Sequence, residues 1–206
     1  MDKIIIKEKI IRNITGTAIP KPADDQNTDD IVPARYLKEI TFKNMGNYAY
    51  YDERFKDGKT VEHHPFNDEK YKGASILIVG ANYGCGSSRE HAPQALYKYG
   101  IKAIIAGSFA EIFASNCANL GIAGMTIPAG NIKELANHIQ KNPQTELDIN
   151  LEEKIISYDK KVLKLNIPEG RRQSFLGGSW DALAILQKNE EAIKSVEIEL
   201  DYLNFK

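Results

Sequence analysis

The sequence predicts an α/β fold: a largely parallel core sheet with flanking helices and extra strands at both ends. Three observations carry that expectation. Two continuous apolar runs of strand length, Ala74–Gly80 and Lys102–Gly107, are each followed by a segment with helical spacing. A third short apolar run, Ala123–Pro128, repeats the rhythm. Beyond residue 144 the pattern changes to short alternating segments, which read as added strands. Strand–helix–strand order implies right-handed crossovers and parallel pairing. A length of 206 residues fits one domain spanning 1–206.

Each element has its own local reason. Ile4–Ile14 is rich in isoleucine alternating with charge and reads as a strand. Thr15–Asp30 carries Pro20 and Pro22, which exclude a helix, so it reads as an extended ordered loop. Ile31–Ile40 resumes apolar character, with a short helix starting at Ala34. Residues 44–72 mix Tyr48, Tyr50, Tyr51, Phe55, Phe66 and Tyr71 with charges and show no period. They read as an irregular connection whose rings cover the core.

Glu90–Tyr99 places Ala92, Ala95, Leu96 and Tyr99 on one face and ends at Gly100, a natural C-cap residue. Phe109–Leu120 and Ile132–Lys141 are the second and third helices. Leu147–Leu151, Ile155–Tyr158 and Val162–Ile167 read as strands, with a hairpin turn at residues 158–161. Ser179 or Asp181 caps a last helix running through Gln187.

Composition narrows the function. Lys and Arg total 27 against 28 Asp and Glu, a net charge of −1 that argues against a nucleic-acid partner. Two cysteines, Cys85 and Cys117, supply neither a disulfide framework nor an all-cysteine zinc or iron–sulfur site. No apolar run approaches the length of a membrane span. Met1–Ile11 interleaves charges with isoleucines and has no signal-peptide core. The expectation is a cytoplasmic protein with no membrane partner and no metal of its own. The adjacent His63 and His64 read as a surface feature, because no spaced partner accompanies them. His138 lies late in a helix, where it complements the dipole.

The chemistry is concentrated in the loop from Gly80 to His91. Its glycines, Gly84 and Gly86, let backbone N–H groups approach a ligand. Ser87 or Ser88 caps the following helix, whose N-terminus carries partial positive charge. Arg89 adds a planar fork suited to a carboxylate or phosphate. Glu90 complements the helix N-terminus, and His91 anchors the turn by hydrogen bonding. The loop is an anion site. Nucleotide patterns fit poorly, because no lysine follows the glycines and their spacing is G-x3-G-x-G. A carboxylate is the favoured anion, with phosphate second.

The run Gly84, Cys85, Gly86, Ser87, Ser88, Arg89, Glu90, His91, Ala92, Pro93 resembles the signature of the small subunits of 3-isopropylmalate dehydratase, in the aconitase superfamily. Asn27–Pro33 is similar to that family's N-terminal motif, although its first acid and the spacing differ. Gly107–Phe113 with Asn116, the pair Arg171 and Arg172, and the stretch 178–182 extend the likeness over nearly the whole chain.

The resemblance implies a swivelling β/β/α domain. It also implies a hydro-lyase that isomerises 2-isopropylmalate and 3-isopropylmalate through isopropylmaleate in leucine biosynthesis. By motif position, Ser87 is the general base, Arg89 binds a substrate carboxylate and Ser88 is a neighbouring donor. The segment with Tyr36, Leu37 and Lys38 reads the variable substituent of the substrate. Aconitases continue that segment into Phe-Arg-Gly. Here Glu39, Ile40 and Thr41 follow, which favours an apolar substituent over a carboxymethyl group. The family's [4Fe–4S] cluster sits on a large subunit, so the implied partners are that subunit, in a heterodimer, and a small dicarboxylate. Asp29 and Asp30 either orient the loop, touch substrate or form a solvated acidic turn.

Other readings stay open on the sequence alone. A related citraconate or dimethylmaleate hydratase differs only in the substituent. A cysteine hydrolase would use Cys85 with His91 as base. A carboxylate-binding module would do no chemistry.

Overall fold

The computed structural model describes residues 9–39, 41–86, 89–181, 185, 190–200 and 202. Its core is a four-stranded parallel sheet in the order β2 (Ala18–Lys21), β5 (Ile76–Val79), β6 (Ala103–Ala106), β7 (Ala123–Thr126). The register pairs Ile19 with Leu77, Leu77 with Ile104, and Ile104 with Gly124. Every residue of β5 and β6 is buried. Burial on both faces is why these strands read as unbroken apolar runs rather than alternating ones. Helix α3 (His91–Tyr99) connects β5 to β6, and α4 (Glu111–Asn119) connects β6 to β7. A further helix, α5 (Ala129–Lys141), packs across β2 and β5. It buries Ile132, Leu135, Ala136 and Ile139, a spacing that puts all four on one helical face.

A second, antiparallel sheet has the order β1 (Asn13–Gly16), β8 (Leu147–Asn150), β9 (Ile155–Tyr158), β10 (Lys161–Lys164). Ile14 pairs with Ile149, which pairs in turn with Ile156. Only Thr17 separates β1 from β2, so the chain passes directly from one sheet to the other. This is the expected α/β architecture with a parallel core and added strands from both ends of the chain.

Several boundaries differ from the sequence reading. The first strand starts at Asn13. Residues 10–12 are not strand, and the expected Ile4–Lys9 portion lies largely outside the described residues. The segment expected to be an ordered loop holds β2 and a short helix, α1 (Thr28–Ile31). Pro20 sits inside β2, opposite Ile78. An edge strand tolerates a residue without an N–H, because one of its two backbone rows needs no partner.

Residues 44–72, expected to be an irregular connection, hold a series of short elements instead: the end of a 3-10 turn at Phe42–Tyr48, α2 (Tyr51–Arg54), a small hairpin of β3 (Phe55–Lys56) and β4 (Lys59–Thr60), and a 3-10 turn at Glu69–Tyr71. Tyr50, Phe66 and Tyr71 do bury their rings there. The helix expected from Ser179 or Asp181 falls largely outside the described residues. Two helices were not anticipated: α6 (Glu169–Gly177), which buries little beyond Phe175, and α7 (Glu190–Glu199).

Candidate active site

The site is built where β5 ends. After Val79 the chain is stitched by backbone bonds to the segment after β2. Gly80 N donates to Ala23 O (3.1 Å), Asp25 N to Ala81 O (2.9 Å), Gly84 N to Gln26 O (2.8 Å) and Thr28 N to Cys85 O (2.9 Å). Side chains add to the seam. The Asp24 carboxylate accepts from Ala81 N (2.6 Å), and Asn82 Nδ2 donates to Asp25 Oδ1 (2.8 Å). On the other flank Tyr83 N donates to Ser108 O and Ala110 N to Tyr83 O, both at 3.0 Å. The glycine loop is therefore clamped between residues 23–28 and 108–110. Crevices at the carboxyl ends of parallel strands are where open α/β sheets bind ligands.

Gly84 is needed twice over. Its φ is +76°, and a Cβ there would lie 2.1 Å from the Phe113 ring. Any side chain would be strained and would collide with a buried aromatic ring.

Ser87 and Ser88 lie outside the described residues. The first residue of the loop beyond them is Arg89, whose Nη1 stands 3.9 Å from Asp29 Oδ1. The expected serine cap is replaced at the helix boundary itself. Glu90 is the N-cap residue, with helical backbone angles and no side-chain cap bond. Its Oε1 instead accepts from Gln94 Nε2, one turn on, at 2.9 Å. Gly100 closes the helix as expected, at φ +115°. His91 sets its ring edge-on to Phe42 at 5.2 Å.

The opposite wall is helix α1. Asn27 caps it, its side chain accepting from Asp29 N (2.8 Å) and Asp30 N (2.9 Å), while the Asp30 carboxylate accepts from Asn27 N (2.8 Å). This reciprocal box separates the roles of the two acids. Asp30 serves the cap, and Asp29 faces Arg89. The pattern Asn27-x-x-Asp30 is a capping signal that the sequence does carry.

Tyr36, Leu37 and Lys38 lie on a 3-10 turn, Ala34–Lys38, that leaves α1 through Pro33. Tyr36 stacks on Tyr48 at 4.0 Å with planes 10° apart, and Tyr51 packs on it at 5.1 Å. Arg35 covers the Tyr36 ring and is paired with Asp52, Nη1 to Oδ2 at 2.8 Å. Leu37 is half-buried and Lys38 exposed. The structure thus brings Arg89 to Asp29, and gathers Tyr36 into an aromatic cluster with its own neighbours.

Beneath the loop lies a polar network that the sequence reading missed. Tyr50 and Tyr83 are completely buried, with hydroxyls 2.7 Å apart, and Tyr50 also donates to Gln26 Oε1 at 3.1 Å. Nothing in the local sequence signals it, because its members come from three separate segments.

His64 corrects another expectation. It is buried, not a surface feature. Its Nδ1 accepts from Phe66 N at 3.2 Å, and its Nε2 stands 3.3 Å from Glu53 Oε2. Lys21 Nζ lies 2.9 Å from the same carboxylate oxygen. Partial burial pushes the Glu53 carboxyl up, but His64 and Lys21 outweigh it and hold the group at about 2. His138, in the last turn of α5, pairs with Asp159 at 2.9 Å.

The two thiols are far from forming a cluster site. Cys117 is fully buried, which pushes its thiol well above the usual range. Cys85 donates from Sγ to Asp25 O at 3.4 Å. Among the described residues no three His, Cys, Asp or Glu side chains converge as metal ligands.

Residues 8–130 match the aconitase C-terminal domain family. The chain is 39% identical over 195 residues to the 3-isopropylmalate dehydratase small subunit of Synechocystis sp., covering 95% of this chain and 96% of that protein. The chain belongs to this small-subunit family. A Thermus thermophilus small subunit is 38% identical, over 92% of this chain and 94% of that protein. A crystal structure of 3-isopropylmalate dehydratase from Methanocaldococcus jannaschii superposes with a TM-score of 0.64 at 30% identity. The alignment covers 90% of this chain and 99% of that one. The loop after β5 lies within the residues, 8–130, that match the family.

Proposed function

We propose that the chain is the small subunit of a hydro-lyase that interconverts 2-isopropylmalate and 3-isopropylmalate through isopropylmaleate, in leucine biosynthesis. Family membership over almost the full length carries this reading, and the glycine loop at the end of β5 gives it a site. On this reading 1–206 is one swivelling domain, working in the cytoplasm with a large subunit. The dehydratase's [4Fe–4S] cluster belongs to that subunit. Two cysteines, one sealed in the core and one bonded to a carbonyl, do not fit a cluster site in this chain.

This chain's part is to hold and move a proton. Removing a proton next to a carboxylate requires a base, and a free serine is a poor one. On this reading Ser87 serves because the start of α3 and Arg89 favour the charged form of its hydroxyl, the N–H groups of Gly80 to Gly84 being bonded within the protein. Arg89 holds a substrate carboxylate, with Ser88 as a second donor. Before substrate arrives, Asp29 is the carboxylate nearest Arg89 among the described residues. Tyr36, Leu37 and Lys38 lie on the segment that faces the substituent.

Anaerobic reconstitution with the large subunit tests the assignment. Turnover is expected to be highest with isopropylmaleate, lower with citraconate and least with cis-aconitate, and the chain alone is expected to be inactive. A preference for citraconate would move the assignment to a citraconate hydratase. Activity of the isolated chain, abolished by alkylating Cys85 but not by Ser87→Ala, would replace it with a cysteine hydrolase.

A further inference from the structure

We infer that Gln26, Tyr50 and Tyr83 are positioning residues that set the Gly84–Gly86 turn, which immediately precedes Ser87 in the chain, an inference that rests on the dehydratase reading above. Counting protons fixes the direction of the network. Gln26 Nε2 donates to Lys21 O (2.9 Å) and Ala23 O (2.8 Å), and carbonyls can only accept. That fixes the amide orientation, so Oε1 faces Tyr50. Tyr50 has one hydroxyl proton and gives it to Oε1. Tyr83 must then donate to the Tyr50 oxygen, 2.7 Å away. The result is a one-way chain, Tyr83 to Tyr50 to Gln26 to the backbone at the end of β2 and just beyond it, with every proton assigned.

This chain reaches the glycine loop at its root. Gly84 follows Tyr83 directly, and its N–H bonds to Gln26 O. The same two residues therefore hold the loop through both backbone and side chain. Tyr83 also packs edge-on to Phe113, the ring that fills the space beside Gly84. Tyr50 adopts a left-handed backbone (φ +52°), a conformation that costs a non-glycine residue energy and persists where surroundings enforce it. Burial drives both phenol groups upward, so neither loses its proton at neutral pH. The network holds geometry and does not exchange protons with substrate.

The consequence is selective. Arg89 precedes α3, with which the network shares no hydrogen bond or ring pair among the described residues, whereas Ser87 follows in the chain the turn the network holds. Loosening the network is expected to lower kcat more than it changes KM. The test compares Tyr50→Phe, Tyr83→Phe and the double variant, each reconstituted with the large subunit and assayed with isopropylmaleate. Each is expected to lose about five- to tenfold in kcat, with KM within about twofold, since Tyr83→Phe removes one buried hydrogen bond and Tyr50→Phe removes two. The double variant is expected to lose no more than the worse single one, because the bonds are shared. Amide exchange at Gly84 is expected to quicken in the isolated variants, a readout independent of activity.

Tyr71→Phe, a buried tyrosine outside the network, is the control for general destabilisation. Wild-type kcat in the network variants, or an equal kcat loss in Tyr71→Phe, overturns the inference alone. A wild-type complex that does not hydrate isopropylmaleate overturns the functional reading and this inference with it.

Discussion

Arg89 and Ser87 lie two residues apart in sequence, yet the proposed reaction asks different things of them. In that proposal Arg89 acts through charge and a planar fork. Its only carboxylate partner among the described residues, Asp29, is 3.9 Å away with most of its side chain exposed. Such a pair contributes little to stability, so it yields readily to a substrate carboxylate. Arg89→Lys keeps the charge and loses the fork. It is expected to raise KM for isopropylmaleate about tenfold while leaving the melting temperature unchanged. On the proposed reading Ser87→Ala removes the base and is expected to lower kcat by about 10² to 10⁴ with KM little altered. Steady-state kinetics of the two reconstituted variants checks both. Equal effects on KM from the two substitutions would contradict the division of labour.

The elements that carry these residues are short, and their caps matter accordingly. Helix α1 spans only Thr28–Ile31, so it depends on its capping box more than on helical propensity. Asn27→Ala leaves Asp29 N and Asp30 N without their acceptor and is expected to cost about 1 kcal/mol, measured from the urea midpoint at constant slope. The cap was passed over, because Asn27-x-x-Asp30 lay in a stretch whose prolines read as a loop, whereas β5, β6, α3 and α4 were legible because full burial leaves long apolar runs and helical spacing. Strand β2 was hidden by Pro20, which only an edge position excuses. Helix α6 was hidden because it buries little more than Phe175 and its glycines resemble loop residues. In the site, the glycine, serine and arginine pattern marked the loop after β5 as the candidate anion site. The clamp beneath it, Gln26 with Tyr50 and Tyr83, was illegible. Hydrogen bonds between distant segments leave no periodic trace, and a buried tyrosine looks in sequence like any other aromatic.

At the scale of the molecule, the two sheets meet at Thr17, and the segments around the parallel sheet are tied together by charges as well as apolar packing. Glu53 is the chief such tie, joining Lys21 of β2 and His64 of the irregular connection to α2. Its carboxyl titrates at about 2 in the folded chain, against an ordinary value of 4.5. A depressed folded value means that the unfolded chain binds the proton first as pH falls. The stabilisation is therefore complete above about pH 4.5 and is lost progressively down to about pH 2. Glu169, held at about 2 by Arg172 and Gln173, titrates over the same interval. Its exposed position leaves its pair open to screening by salt, whereas Lys21 and His64 are largely enclosed. Glu53→Gln is expected to be less stable than the wild type at pH 7, and the difference is expected to shrink between pH 4.5 and pH 2. Urea unfolding at a series of pH values, in low and high salt, measures that difference directly. A gap that stays constant from pH 7 to pH 2 would show that Glu53 stabilises the chain by packing alone, with no contribution from its charge.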